Sequence, residues 1–264
     1  MQLRYDVRGE GEPVLLVHGF PLSRRMWDGV VAGLEGRWRL IVPDLRGHGE
    51  SHASDAATMR LYAADLASLL DELEETRPVT LVGMSMGGYI ALEFYRRHRR
   101  RVRALVLVDT RATRDTPEAA RVRLETADEV LREGSAVVAK GMVERLFAPS
   151  AAPKLRERWR KIMAATPPAG AAAALRAMAT RTDSRRLLKR VTVPVLAVVG
   201  AEDVITPASD ARAIAEAAPD ARLRVIPGAG HMSPVERPDE FVEILREFLE
   251  SLEESSKFKV QSAK

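Results

Sequence analysis

Ser85, in Gly83-Met84-Ser85-Met86-Gly87, and His231, in Gly228-Ala229-Gly230-His231, are the residue types that nucleophilic acyl transfer requires. A serine hydroxyl is a weak nucleophile at neutral pH. It needs a base within hydrogen-bond reach, and the base needs an acid that holds its tautomer. Asp203, in Gly200-Ala201-Glu202-Asp203, completes the chain order Ser, Asp, His. Asp109 closes the apolar run Ala104 to Val108 in the same manner, and Glu202 adjoins Asp203. The acid is therefore open among the three, with Asp203 favoured by its glycine-started turn and its place in the order. His231 is preferred as base because it follows the last strand-like run. His18 precedes a tight turn, His48 and His52 lie in a polar loop, and His98 sits in a basic helix end.

Acyl transfer also builds negative charge on the carbonyl oxygen, which fixed backbone N–H groups can answer. The Met86 amide follows the nucleophile, and the Phe20 amide lies in the turn His18-Gly19-Phe20-Pro21 after an early apolar run. Both are candidate oxyanion donors. Phe20, Met84, Met86 and Met232 should lie near the reacting groups, and Phe147, Trp159, Met163 and Met178 could add apolar, adaptable walls. Of these, Phe20, Met84, Met86, Phe147, Trp159 and Met232 are the candidate substrate contacts.

Elements must place these groups together. Val79 to Val82, then Ser85, then the helical stretch Tyr89 to His98 give strand, sharp turn and helix, the context that lifts a nucleophile clear of a sheet. Gly83 and Gly87 fit a turn in which neighbouring backbones crowd. Further runs at Val14 to Val17, Leu40 to Val42, Ala104 to Val108, Val193 to Val199 and Leu223 to Ile226 predict parallel strands buried on both faces. Gln2 to Val7 alternates and predicts an edge strand paired antiparallel with the next. Met59 to Leu73, capped by Thr58, and Pro238 to Leu252 repeat apolar residues at helical spacing.

Between Pro117 and Lys189 there is no strand-like run, only helical pieces broken by glycine and proline. One crossover helix needs far fewer residues, so an inserted helical layer is predicted over the carboxyl edge of the sheet. The expected organisation is a core of residues 1–116 and 190–254, a cap of residues 117–189, and a frayed, disordered tail at residues 255–264.

Composition narrows the classes. The 264 residues suffice for one α/β domain, and the absence of cysteine removes disulfides and thiolate chemistry. No signal-like or membrane-spanning apolar stretch is present, so a cytoplasmic protein without membrane association is expected. Forty-one Lys and Arg against thirty-seven Asp and Glu give a net charge of +4. The densest basic cluster, Arg96 to Arg101, lacks interleaved aromatics and reads as a solvated helix end, so no nucleic-acid partner is expected. Asp44, His48, His52 and Asp55 have ligand-like spacing, but Pro43, Gly47 and Gly49 put them in a loop, and no metal is expected. Phosphate-loop and dinucleotide motifs are lacking, and no cofactor is expected.

His18-Gly19-Phe20-Pro21, the segment Pro43 to Ser51, Val82 to Tyr89, Gly200 to Asp203 and Gly228 to His231 together resemble the α/β-hydrolase superfamily over nearly the whole chain. The resemblance implies a mostly parallel eight-stranded sheet, a helical cap from about Pro117 to Lys189, and a Ser85, Asp203, His231 triad. Phe20-Pro21-Leu22 with Trp27, the Ser85 elbow and Val108-Asp109-Thr110-Arg111 are similar to the carboxylesterase and 3-oxoadipate enol-lactonase group. Serine as nucleophile argues against haloalkane dehalogenases and epoxide hydrolases, which use aspartate there. The expected activity is carboxylic-ester hydrolysis of a small molecule. Alternatives are an enol-lactonase on a carboxylated lactone, a cofactor-free perhydrolase, and a non-catalytic small-molecule-binding protein of the same fold. An anionic lactone would need an unpaired cation in the pocket, with Arg111 a candidate. The sequence is silent on oligomeric state.

Overall fold

The computed structural model describes residues 2–52 and 54–261. Strands β1 (Tyr5–Arg8), β2 (Pro13–Val17), β3 (Arg39–Pro43), β4 (Val79–Met84), β5 (Val102–Val108), β6 (Val195–Gly200) and β7 (Ala221–Ile226) form one sheet in the order β1-β3-β2-β4-β5-β6-β7. β1 runs antiparallel to β3 and every other pairing is parallel. Each of the seven strand-like runs in the sequence forms a strand. The eighth strand came from the family resemblance alone, and no further run among the described residues exists to supply it.

Two local expectations are corrected. β1 pairs with β3 rather than with its chain neighbour β2, because β2 already has β3 and β4 on its two sides. β7 is an edge strand, with Arg222, Arg224 and Val225 exposed, so it is not buried on both faces like β2, β4 and β6.

Side-chain alternation divides the core into two layers. Leu15, Val17, Leu81, Leu105 and Ala197 face one way, toward α2 (Met59–Glu72), α3 (Met86–His98) and α9 (Ala208–Ala217). Val14, Leu16, Val82, Val106 and Val198 face the other, toward α1 (Asp28–Leu34) and α11 (Pro238–Gln261). α2 begins where the Leu61 amide donates to the Thr58 hydroxyl at 3.0 Å, and it buries Tyr62, Leu66, Leu69 and Leu70. Leu61, which shares the apolar spacing, points outward. α11 buries Phe241, Leu245, Phe248 and Leu249 and extends through Gln261, beyond the predicted Leu252. Residues 262–264 of the expected tail lie outside the described residues.

Between β5 and β6 stand α4 (Pro117–Glu133), α5 (Ala136–Leu146), α6 (Pro153–Ala164), α7 (Pro168–Ala179) and α8 (Arg185–Leu188). They lean on loops at the carboxyl ends of the strands. The Thr166 hydroxyl donates to Pro21 O at 2.9 Å, and Gly170 abuts the Gly47 backbone. In the basic cluster at the end of α3, Arg96 and Arg97 both pair with Glu93, and Arg101 pairs with Asp71 of α2. Among the described residues no helix is long and apolar enough to cross a membrane.

Candidate active site

In a parallel sheet all strands end at one edge, so loops far apart in sequence meet there. Ser85 sits between β4 and α3 with φ +53°, a left-handed conformation that a non-glycine residue holds at a cost of about 1–3 kcal/mol. The surroundings over-determine it. Its amide donates to Val108 O at 2.9 Å, and its carbonyl accepts the Thr110 hydroxyl at 2.8 Å and the Gly88 amide at 2.9 Å. A Cβ on Gly83 would lie 2.3 Å from Gly87 O, and one on Gly87 would lie 2.3 Å from Val17 O. The turn therefore closes only with bare backbone at both positions.

Above this turn, His231 Nε2 lies 2.9 Å from Ser85 Oγ, and Nδ1 lies 2.8 Å from Asp203 Oδ2. A carboxylate only accepts, so Nδ1 carries the proton, Nε2 is bare, and the Ser85 hydroxyl donates to it. Asp203 is held in turn: Oδ1 accepts the Ile205 and Thr206 amides at 2.7 and 2.9 Å, and Oδ2 accepts the Thr206 hydroxyl at 2.7 Å. Burial pushes the Asp203 pKa up. The positive charge that His231 carries when protonated, its hydrogen bond and the Thr206 donors outweigh burial and hold it below the ordinary carboxylate value.

Asp109 does not reach the imidazole. Its Oδ1 accepts the Gly200 amide at 2.8 Å, and its Oδ2 accepts the Ser233 hydroxyl at 2.6 Å and the Ser233 amide at 3.2 Å. It braces the end of β6 against the segment that follows His231. Burial, then the neighbouring Asp203 charge, raises its pKa well above the ordinary value. Glu202 is exposed, and its amide donates to Ala229 O at 2.8 Å.

The Gly19–Phe20 turn borders the serine, since a Cβ on Gly19 would lie 3.3 Å from Ser85 Cβ. Among the described residues neither the Phe20 nor the Met86 amide donates to a protein acceptor. Gly19 O, by contrast, is gripped by His18 Nδ1–H at 2.8 Å and by the Leu22 amide at 3.0 Å, while His18 Nε2 accepts the Leu45 amide at 2.9 Å. Burial lowers the His18 pKa, in keeping with a neutral ring whose two nitrogens have fixed, opposite roles. His48 donates from Nδ1 to Arg46 O at 3.0 Å and packs edge-on to Phe20. Asp44 is occupied by Arg24, while His52 and Asp55 are exposed.

The six candidate substrate contacts are all buried but divide between the layers. Phe20 and Met86 belong to the apolar cluster that includes α2 and α3, whereas Met84, Phe147, Trp159 and Met232 belong to the cluster that includes α1 and α11. Arg111, the candidate for an anionic substrate, gives its guanidinium to Ile205 O and to Asp210. Two residues that hold these carboxylates, Thr206 and Ser233, carried no motif in the sequence. The hydroxyl three residues after Asp203 was the one legible signal.

A family model for the alpha/beta hydrolase fold matches residues 12–238. A thermophilic esterase from Thermogutta terrifontis superposes with a TM-score of 0.93 at 43% identity, covering 95% of this chain and 93% of that one. An enol-lactonase from Burkholderia xenovorans LB400 superposes with a TM-score of 0.86 at 28% identity, covering 94% and 96%. A pimeloyl-[acyl-carrier protein] methyl ester esterase from Chromobacterium violaceum is 31% identical over 95% of this chain and 99% of its own length. With its sheet, elbow and matched span, the chain belongs to the alpha/beta hydrolase fold family.

Proposed function

We propose that the protein is a serine hydrolase of carboxylic esters that works through an acyl-enzyme. The observation that carries this reading is the continuous relay from Ser85 Oγ to His231 Nε2 at 2.9 Å and from His231 Nδ1 to Asp203 Oδ2 at 2.8 Å. His231 takes the Ser85 proton as Oγ attacks the ester carbonyl. Asp203 stabilises the imidazolium, and the oxyanion forms against the Met86 and Phe20 amides. The alcohol leaves with the proton from His231. Water, deprotonated by the same imidazole, then releases the acid and restores Ser85. Metal and cofactor have no step in this sequence.

The helices between Pro117 and Leu188 act as a cap over the site, supported by the contacts of Thr166 with Pro21 and of Phe147–Ala148 with Gly230. Four of the six candidate pocket residues, Met84, Phe147, Trp159 and Met232, belong to one apolar cluster, and apolar walls of this kind suit a neutral acyl or alkoxy group. The engagement of Arg111 by Asp210 argues for a neutral ester over a carboxylated lactone. Esterase relatives, including one that cleaves a methyl ester, point the same way.

The test is a panel of p-nitrophenyl esters and a dicarboxylic enol-lactone, with Ser85→Ala as control and a fluorophosphonate as active-site label. Turnover of neutral esters, stoichiometric labelling of Ser85 and a dead control are expected. Full hydrolysis by Ser85→Ala would sink the proposal. Turnover of the lactone far above simple esters would reassign the substrate, and a peroxide-dependent gain in peracid would redirect the acyl-enzyme's acceptor.

A further inference from the structure

Glu236 ends the short helix α10 (Ser233–Glu236), five residues beyond His231, and its two carboxylate oxygens serve different parts of the fold. Oε1 accepts the Gly230 amide at 2.8 Å. Oε2 accepts the Ala148 amide, also at 2.8 Å. Gly230 immediately precedes His231, whereas Ala148 lies in the connection between α5 and α6. One half-buried carboxylate therefore ties the loop that carries the imidazole to the helical layer between β5 and β6.

The surroundings make this tie tight. A Cβ on Gly230 would lie 2.5 Å from Ala148 N and 2.7 Å from Phe147 C, so the two backbones touch. On the other side of the same loop, a Cβ on Gly200 would lie 2.0 Å from Gly230 O, and the Glu202 amide donates to Ala229 O at 2.8 Å. The His231 loop is thus pressed between the end of β6 and the Phe147–Ala148 segment. That segment is anchored from its own side, where Arg156 donates from Nη2 to Ala148 O at 2.6 Å and lies 6.0 Å over the Phe147 ring.

We infer that Glu236 is a positioning residue for His231, and that it makes the seating of the helical layer and the alignment of the base a single event. It touches no reacting atom and acts through the Gly230 amide. With both oxygens occupied by backbone donors from two segments, movement of either segment is transmitted to the other. Phe147, a candidate pocket wall, sits at the joint, so acyl-group packing against the layer and placement of the imidazole are linked. The inference rests on the reading of His231 as the general base.

Glu236→Gln is the discriminating variant. A carboxamide keeps one acceptor oxygen and turns its NH2 toward the other backbone N–H, so one tether becomes a donor facing a donor. Displacement of a catalytic group by about 1 Å can cost roughly 100-fold, so kcat for a p-nitrophenyl ester should fall by about tenfold or more. KM should stay within about threefold, because the ground-state ester does not depend on imidazole alignment. The downfield proton resonance of the His231 Nδ1–H should shift or broaden. A lowered Tm with kcat within about twofold of the parent, normalised to titrated Ser85, would mean that Glu236 only stabilises the fold and would overturn the inference.

If Glu236→Gln does not accumulate as folded protein, Arg156→Met decides. It loosens the layer side and leaves the hydrogen bonds of the base loop in place, while removing a charge that acts on Glu236. A fall in kcat of about threefold or more at unchanged KM is expected, and an unchanged kcat would refute the coupling. His231→Ala separates the two claims. Retained activity there would overturn the general-base reading itself, whereas a dead His231→Ala beside a fully active Glu236→Gln would overturn only the role of Glu236.

Discussion

Replacing Asp203 by asparagine tests whether this carboxylate, and not Asp109, holds the tautomer of His231. The hydrogen bonds decide how the amide must sit. Asp203 Oδ1 accepts two backbone amides, from Ile205 at 2.7 Å and Thr206 at 2.9 Å. An amide NH2 cannot replace it there without facing two donors, so the asparagine oxygen takes the Oδ1 place and the NH2 takes the Oδ2 place. That NH2 then faces His231 Nδ1, which must present a lone pair. The ring proton moves to Nε2, where it points at Ser85 Oγ, and the base is lost. In the Ser-His-Asp template a wrong tautomer of this kind costs about 10⁴ in kcat, or about 5 kcal/mol.

Asp109→Asn should behave differently. Burial and the Asp203 charge already favour the neutral form of Asp109, which a carboxamide imitates. Its oxygen can keep the Gly200 amide while its NH2 donates to the Ser233 hydroxyl, at the expense of a poor contact with the Ser233 amide. A loss of no more than about tenfold in kcat is expected. Both variants would be assayed on one p-nitrophenyl ester near neutral pH, with active sites titrated so that misfolded protein does not count as slow enzyme. If Asp109→Asn loses as much as Asp203→Asn, or if Asp203→Asn keeps more than about a tenth of kcat, the tautomer argument is wrong.

Other perturbations read different parts of the site. Thr206→Val removes a charge-assisted donor to Asp203 Oδ2 and should lower kcat by roughly tenfold; unchanged kcat would show that the two backbone amides suffice. His18→Leu frees Gly19 O and with it the direction of the Phe20 amide, so kcat should fall by about 100-fold, the lower end for losing an oxyanion donor. His18→Asn, which can keep the donor to Gly19 O, should recover part of that, and equal losses in the two variants would refute the positioning role. Gly87→Ala drives a Cβ to 2.3 Å from Val17 O, which should destabilise the fold by about 3 kcal/mol and be seen as a lower Tm; an unchanged Tm would contradict the crowded turn. Burial, reinforced by His18, pushes the His48 pKa down to about 3, so the folded ring stays neutral while the unfolded one protonates. Its contribution is complete above about pH 6.5 and is lost as pH falls toward 3, by about 2 kcal/mol between pH 6.5 and 5. Urea unfolding at these two pH values should show a shallower dependence for His48→Gln than for the parent, and equal slopes would count against a buried neutral ring.

The legible part of this molecule is what short-range rules control. Bare backbone at Gly83 and Gly87 and a strand before Ser85 are local demands, and an elbow that meets them is written in consecutive residues. Convergence was legible too, because parallel strands all end at one edge, so Phe20, Ser85, Asp203 and His231 meet there whatever their separation in sequence. Which way a carboxylate leans at that edge is not a local property. Asp109 and Asp203 end adjacent strands in similar contexts, yet Asp109 turns to Gly200 and Ser233 while Asp203 meets His231. Glu236 is less legible still, since its partner Ala148 lies 88 residues away and offers only a backbone amide, which every residue but proline carries. The β1–β3 pairing has the same character: it depends on which strand edge is left open once β2 is enclosed. Local pattern thus specifies the groups of the proposed relay, whereas their alignment rests on backbone donors and sheet edges that carry no residue-specific mark. Thr206, Ser233 and Glu236, the residues proposed to tune alignment, are therefore those a motif search passes over, and substitution at them should separate catalytic rate from the presence of the proposed triad.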